Sequence, residues 1–426
     1  MLHNVTNYVP KLRSKKYDKK IKSYISTINV DENREDISFI DAIKRYGRND
    51  KNQELVLNYW HTEYADFISN LRIHETLTSG CCQTSKSLFH VLLQIYLSIE
   101  KGYNTLWVYS LEGMLNKMVN IQFKPIVNYW FEASSRTNTS RNNTKNNSLY
   151  QYNGANIIFG YASSSNNAAN RNTSAGKSMV SFPADIAFKE ERSQWESGSD
   201  APVDRRLEAS SIDTKPIRQI GTPGKHGTGI TEAARDCDYH FEPHCICDNC
   251  GQEIRLNPEG TLLIASVRVK PNGEKIKSFV GANGRPSDWF YSDDTNPIES
   301  TFFGCPHCYA EIPKNIRVHQ SYFRCVKTNI KMTEFLDWIN SESYQIDKKI
   351  KAFIYLSPLL KDRAYNVASD IIKTGIETTD PEDWYQQQIG LASKTESTKL
   401  TIEMIANAIS RPMPEFNYPD WLLNKL

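Results

Sequence analysis

Between residues 51 and 71, Leu55, Val56, Tyr59, Trp60, Tyr64, Phe67, Ile68 and Leu71 fall at helical spacing. They predict a helix that turns one stripe to a core. An aromatic of this stripe could also stack on an adenine base. A short strand end at Thr76–Thr78 follows, and then Leu88, Phe89, Val91, Leu92, Ile95 and Ile99 return at helical spacing. Thr105–Tyr109 is a short apolar run of β-formers and reads as a buried parallel strand, with a helix near 111–132 behind it. Further strand-like runs stand at Asn156–Phe159, Ile186–Phe188, Pro216–Ile220 and Lys351–Leu356, and helices near 362–374 and 381–391 close the pattern. Strand alternating with helix is the mark of a doubly wound α/β core. No internal repeat of fixed period interrupts it.

Polar stretches punctuate this pattern. Residues 1–50 are polar and basic with weak periodicity, and 134–149 and 163–178 are rich in Asn and Ser and read as solvated loops. Lys11–Lys22 is a basic run, either a solvated tail or a DNA contact. The net charge is only +2, so any grip on nucleic acid must come from local patches. With 426 residues, 39% hydrophobic and 23% charged, the chain is expected to form a globular protein of two or three domains. No apolar stretch nears the roughly 20 residues of a membrane span, and no secretory core opens the chain, so neither membrane nor export is expected.

The chemistry begins at residues 78–87. Gly80, then four residues, then Ser85, Lys86 and Ser87, is the spacing of a phosphate-binding loop whose second glycine is replaced by serine. Such a loop aims backbone N–H groups at phosphate oxygens, the lysine reaches the same oxygens, and the following hydroxyl takes Mg²⁺. A helix N-terminus behind it adds a favourable field. The plainer alternative is a strand–turn–helix with an exposed lysine. Cys81 and Cys82 read as small residues packed in the loop.

Hydrolysis needs two further acids, one for the metal and one to orient water. The best candidates follow the strand-like run at 186–188: Glu190 on the metal side and Glu191 on the water. Lys189 beside them is out of place, since a cation would oppose the metal. A register one residue earlier would put Lys189 in the metal position and is disfavoured. An exposed charge cluster at a strand end is the bland alternative. Gly221, Thr222 and Pro223 end the next strand, where a threonine can sense the terminal phosphate, although Gly-Thr-Pro-Gly is also an ordinary turn.

Nine cysteines, an odd number and clustered, argue for a reducing compartment and metal binding. Cys247 with Cys250 and Cys305 with Cys308 form two C-x₂-C knuckles, the pattern of a closed, structural zinc site. A β-hairpin within 261–279 would fill the gap between them. Cys245 and His244 lie close enough to replace a ligand.

Taken in order, these motifs resemble the ATPase portion of the large terminase subunit of tailed bacteriophages, most like its lambda-type branch. That branch commonly carries a Gln before x-G-K-[ST], matched by Gln83, Thr84, Ser85, Lys86 and Ser87. Its S-T-P is matched at 221–223, and its C-x₂-C-G at 247–251. Phe353–Pro358 and Trp384–Gly390 look like the family's end-of-ATPase region. The resemblance spans roughly 50–400 and implies an α/β fold of RecA/P-loop type, a doubly wound mostly parallel sheet with an inserted zinc-ribbon β subdomain. The expected division is a basic segment 1–50, a P-loop ATPase core 51–236, a zinc-ribbon insertion 237–330, and a return to the core with a helical end over 331–426.

The implied activity is ATP-driven translocation of double-stranded DNA into a procapsid, with ATP, Mg²⁺ and Zn²⁺ as cofactors. The implied partners are the portal protein, the small terminase subunit and further copies in a ring, in the cytoplasm of an infected bacterial host. Arg205 and Arg206 are candidates for a cis arginine finger, or simply an exposed helix face. The family's nuclease domain should begin where this sequence stops, so no nuclease activity is expected of this chain. A helicase-like nucleic-acid translocase and a decayed P-loop protein acting as a zinc-ribbon DNA- or protein-binding adaptor are the competing expectations.

Overall fold

The computed structural model of the chain describes residues 36–134, 149–152, 155–162, 183–195, 200–225, 227–257, 263–269, 275–280, 302–308, 310–344, 349–363 and 367–393. The basic run at 11–22, nearly all of the two Asn- and Ser-rich stretches and the last thirty or so residues lie outside the described residues.

The first half runs α1 (Phe39–Tyr46), α2 (Tyr59–Ser69), β1 (Glu75–Gly80), α3 (Lys86–Ile99), β2 (Thr105–Tyr109), α4 (Glu112–Met118), α5 (Lys124–Ala133), β3 (Leu149–Tyr152), β4 (Ala155–Tyr161), β5 (Ile186–Lys189), α6 (Asp200–Asp204), β6 (Ile217–Gly221) and α7 (Gly229–Arg235). The second half runs β7 (Tyr239–Ile246), β8 (Glu253–Arg255), β9 (Leu263–Val269), β10 (Lys275–Val280), β11 (Phe302–Gly304), α8 (Lys314–His319), β12 (Tyr322–Cys325), α9 (Met332–Asn340), β13 (Lys351–Leu356), α10 (Val367–Glu377) and α11 (Pro381–Trp384).

Ten strands join in one sheet, ordered β12-β7-β13-β1-β6-β5-β2-β4-β3 with β8 paired to β7. From β7 to β4 every neighbouring pair is parallel, and antiparallel pairs occur only at the two ends. The fold is therefore mixed α/β with a mainly parallel sheet. Parallel strands need both faces covered, and the burial follows. Trp107, Phe159 and Phe188 face α3, while Leu106, Val108, Ile158 and Ala187 pack with Val203 and Leu207 on the other side. β1 is buried at all six positions. Its odd side takes Leu77 against Ile230 and Ala234 of α7, and its even side turns Thr78 to the hydroxyl of Tyr64 at 3.3 Å.

Several elements differ from the sequence pattern, each for a local reason. The helix expected over 51–71 starts only at Tyr59. The backbone N–H of Asn58 donates to Nδ1 of His61 at 2.9 Å, a capping box that stops the helix and leaves Leu55–Leu57 outside it. The helix expected over 111–132 is interrupted by a π turn at Val119–Phe123. Pro125 has no N–H to give and its ring crowds the preceding turn, which widens.

Residues 36–46, expected in a polar segment, instead contain an amphipathic helix. Ser38 caps α1 by accepting from the Asp41 N–H at 3.2 Å, and Phe39, Ile40, Ala42 and Ile43 are buried. Residues 237–330, expected as an insertion, also contribute β7 and β12 to the main sheet. The hairpin expected within 261–279 is present as β9 and β10, and β11 adds a third strand to it.

Candidate functional site

Parallel pairing fixes where the chemistry gathers. Gly80 stands opposite Leu356, Ser79 opposite Gly221, and Lys189 opposite Gln219. The loops leaving β1, β5, β6 and β13 therefore emerge together at the carboxyl ends of the strands, the usual binding edge of an open α/β sheet.

The loop after β1 is tightly built. A Cβ on Gly80 would lie 2.2 Å from the Leu356 carbonyl oxygen, so only glycine lets the two strands approach. Gln83 and Ser85 both have left-handed backbones, at φ 62° and 61°. Ser85 stands where the loop pattern has its second glycine, and it keeps the glycine's conformation at a cost of about 1–2 kcal/mol. The Lys86 ammonium donates to the carbonyls of Gly80 and Cys81 at 3.0 and 2.8 Å, and the Thr84 hydroxyl donates to the Cys81 carbonyl at 3.0 Å. Thr84 and Lys86 are buried with Cys81, and the lysine is folded over the loop it would serve.

Across the edge, the Ser87 hydroxyl donates to Oε1 of Glu190 at 2.6 Å. The second oxygen, Oε2, is buried with no partner among the described residues. Burial, reinforced by the charge of Glu191, pushes the Glu190 carboxyl up to about 8. Glu191 is raised as well, chiefly by burial, with Lys86 and the backbone amide of Thr222 drawing it back. Thr222 is itself buried.

Lys189 does not oppose this arrangement. Successive strand residues face opposite sides, so Lys189 points away from Glu190. Its ammonium meets Asp200 and Asp204, each at 2.8 Å. The turn carrying Arg205 and Arg206 follows α6 directly and packs on this opposite face through Leu207. The structure therefore does not bring those two arginines to Ser87 and Glu190.

A feature the sequence reading left without a role is the segment that ends the described chain. Residues Tyr385–Ile389 form a π turn closed by Gly390 in the left-handed conformation at φ 77°. The Cys82 N–H donates to the Gln387 carbonyl at 2.7 Å, and the Cys82 thiol bonds the side chain of Gln387. Ser393 reaches on, its N–H donating to the Gly224 carbonyl at 3.1 Å. One strap thus touches both the loop after β1 and the turn after β6.

Beside the loop lies a cavity of about 350 Å³. Leu55, Leu57, Trp60, His61, Leu88 and Phe89 supply an apolar wall, and Gln83, Thr84 and Ser85 the edge nearest the loop. Burial drives His61 down to about 3, so its ring is neutral.

Away from this edge, Cys247, Cys250, Cys305 and Cys308 bring their sulfurs within 4.8 Å of one another. The Cys247–Cys308 and Cys250–Cys305 separations are 3.7 and 3.8 Å. A tetrahedron with metal–sulfur bonds near 2.3 Å has edges of about 3.8 Å, so the donor set fits a zinc ion. The His307 N–H and the Asn249 amide donate to Cys305 and Cys308 at 3.4 and 3.3 Å, the outer support thiolates use. Cys245 and His244 stay outside the group, buried in β7.

No protein-family model matches the chain, and no curated protein matches it. Among solved structures it is similar to a large terminase from a thermophilic bacteriophage, at 9% identity and a TM-score of 0.27 over 36% of this chain and 35% of that one. It is also similar to two structures of the Thermus phage P74-26 large terminase ATPase domain, one of them a mutant. Both give 9% identity and a TM-score of 0.26 over 36% of this chain and 61% of theirs. The chain thus spans about a third of the first and less than two thirds of the others. At these scores the likeness establishes neither fold nor activity.

Proposed function

We propose that this chain is the ATP-hydrolysing motor subunit of a phage terminase, moving double-stranded DNA into a procapsid. The observation that carries nucleotide hydrolysis is the pairing of half-buried Ser87 with buried Glu190. Its hydroxyl and carboxyl meet at 2.6 Å beside the Lys86 loop, with one carboxyl oxygen unclaimed among the described residues. A hydroxyl, an unpartnered buried carboxylate oxygen and a nearby ammonium fit a magnesium–nucleotide complex.

Residues 80–87 would hold the phosphates through backbone N–H groups and Lys86, with Ser87 and Glu190 on the magnesium side. Bound there, the ion supplies charge neutralisation at the phosphates. Glu191 would orient the attacking water and accept its proton. The backbone amide of Thr222 acts on Glu191, and in this reading the turn after β6 would sense which phosphates are present. The apolar wall of the neighbouring cavity suits a base. The four-cysteine site is structural, closed by protein ligands, and carries no catalytic role.

Packaging, as distinct from hydrolysis alone, is supported by the order of the motifs and by the cysteine knuckles that follow them. The portal ring, the small terminase subunit, a homo-oligomeric ring and the host cytoplasm belong to this reading. Among the described residues no helix is long and apolar enough to cross a membrane.

The test is steady-state ATPase activity of the chain alone, with double-stranded DNA, with a portal ring, and with both, alongside Lys86→Ala. Turnover that rises most with both additions and vanishes in the variant is expected. ATP binding without stimulation under any condition would make the chain an adaptor, and a response to single strands would make it a helicase-like translocase.

A further inference from the structure

Lys361 has no part in the site as described so far. It lies on the loop leaving β13, after the turn Pro358–Leu360 that Ser357 caps by accepting from the Leu359 N–H at 3.2 Å. This loop forms the wall of the 350 Å³ cavity that also carries Asp362 and Arg363, and Gln83–Ser85 line the same cavity. Lys361 is 6% exposed. Among the described residues its ammonium has no hydrogen-bond or ion-pair partner.

The neighbouring charges are all occupied. Asp362 pairs with Lys314 and accepts from Asn58 at 3.5 Å. Arg317 donates to the carbonyls of Leu359 and Lys361, at 2.5 and 3.2 Å. Arg363 donates to the side-chain oxygen of Gln83 at 3.2 Å. An ammonium held without an anion on a nearly buried side chain is costly, and at the lining of a cavity it favours an anion that enters there.

The anion can be placed along the chain of the site. Burial pushes the Cys81 thiol up to about 11, while Lys361 and then Lys86 pull it down, so both lysines act on the same loop residue. Lys86 reaches the loop from the helix side, where its ammonium holds the Gly80 and Cys81 carbonyls. Lys361 lines the cavity together with Gln83–Ser85 and the apolar wall. A molecule with phosphate at the loop and a flat apolar ring against that wall would share the cavity with Lys361.

We propose that Lys361, assisted by Arg363, binds the α-phosphate end of the nucleotide, where phosphate joins ribose, while the Lys86 loop binds the terminal phosphates. The proposal rests on the reading of residues 80–87 as the nucleotide loop. It makes the loop after β13 a positioning element that distinguishes a nucleotide from its two terminal phosphates alone. Arg363 ties that loop to Gln83 through the hydrogen bond at 3.2 Å.

Calorimetric titration of the full chain with ATP, ADP and inorganic pyrophosphate, which has no counterpart of the α-phosphate, tests this. Lys361→Gln should weaken ATP and ADP by about tenfold, the worth of one charge-assisted bond, and leave pyrophosphate unchanged. Lys361→Arg should restore most of the loss. Wild-type affinity of Lys361→Gln for ATP and ADP overturns the proposal, as does an equal loss for all three probes. Lys86→Ala separates this from failure of the underlying reading: it should weaken all three probes, and retained ATP affinity there would remove the nucleotide loop itself. If Lys361→Gln does not fold, as judged by circular dichroism, the exposed Arg363→Gln replaces it. A loss of about threefold for ATP with none for pyrophosphate supports the proposal, and no change overturns it.

Discussion

Gly390 gives the sharpest test of how the end of the described chain serves the nucleotide loop. Two glycines share the same left-handed backbone, Gly102 and Gly390, both at φ 77°. An alanine at either costs about 1–2 kcal/mol from that conformation alone. Around Gly102 an added Cβ meets nothing within 4 Å, whereas at Gly390 it lies 2.2 Å from the Cys81 backbone nitrogen. The neighbour there is backbone and cannot rotate aside. Gly390→Ala must therefore push the strap off the loop.

The move would break the Cys82 N–H to Gln387 carbonyl bond at 2.7 Å and strain the Tyr355 hydroxyl to Ile389 carbonyl bond at 2.8 Å. At about 1 kcal/mol each, the extra penalty is about 1–2 kcal/mol, felt at the nucleotide loop. Gly102→Ala should lower stability in urea by about 1–2 kcal/mol and leave nucleotide affinity unchanged. Gly390→Ala should lose affinity for a fluorescent ATP analogue by about five- to thirtyfold. Both are measured by equilibrium titration beside urea unfolding. If the two variants lose the same stability and Gly390→Ala binds nucleotide like the parent chain, the strap does not shape the loop.

The remaining predictions concern the acids, the metal and DNA. Glu191→Gln should leave ATP bound but unhydrolysed, and Glu190→Gln should raise the Mg²⁺ concentration needed for turnover; normal hydrolysis by Glu191→Gln would move the water-orienting role to Glu190. Freshly reduced protein should contain about one zinc per chain by metal analysis, and a chelator should loosen the knuckle region before the sheet, as seen by hydrogen exchange. No zinc in such a preparation would remove the site. DNA affinity should be independent of sequence and fall linearly on a log–log plot against salt, because a motor must grip the backbone and release counterions; a strong sequence preference in gel-shift competition would contradict that.

Much of this architecture is legible in the chain. Alternation of strand and helix predicts the parallel sheet, since each run such as Thr105–Tyr109 or Lys351–Leu356 carries its own period and its own turn signals. The loop spacing around Gly80 and the two cysteine knuckles are equally local, because phosphate and zinc chemistry dictate separations of a few residues. Even the capping box that ends the predicted helix at Tyr59 is written in Asn58 and His61, though helical periodicity over 51–71 conceals it.

Only the tertiary structure decides what meets across the sheet. Ser87 and Glu190 are 103 residues apart, and nothing in either segment states that β1 and β5 are separated by β6 alone. The side of β5 on which Lys189 lands depends on register, and a slip of one residue would exchange its place with that of Glu190. The anions that receive Lys189, the ammonium of Lys361 without a partner among the described residues, and the strap from Gln387 to Gly224 all arise from distant segments brought together by the sheet. Local sequence sets which way a backbone turns, through sterics and hydrogen bonds a few residues long. Which turns share an edge is set by long-range strand pairing and burial of both faces, and those energies belong to the folded whole.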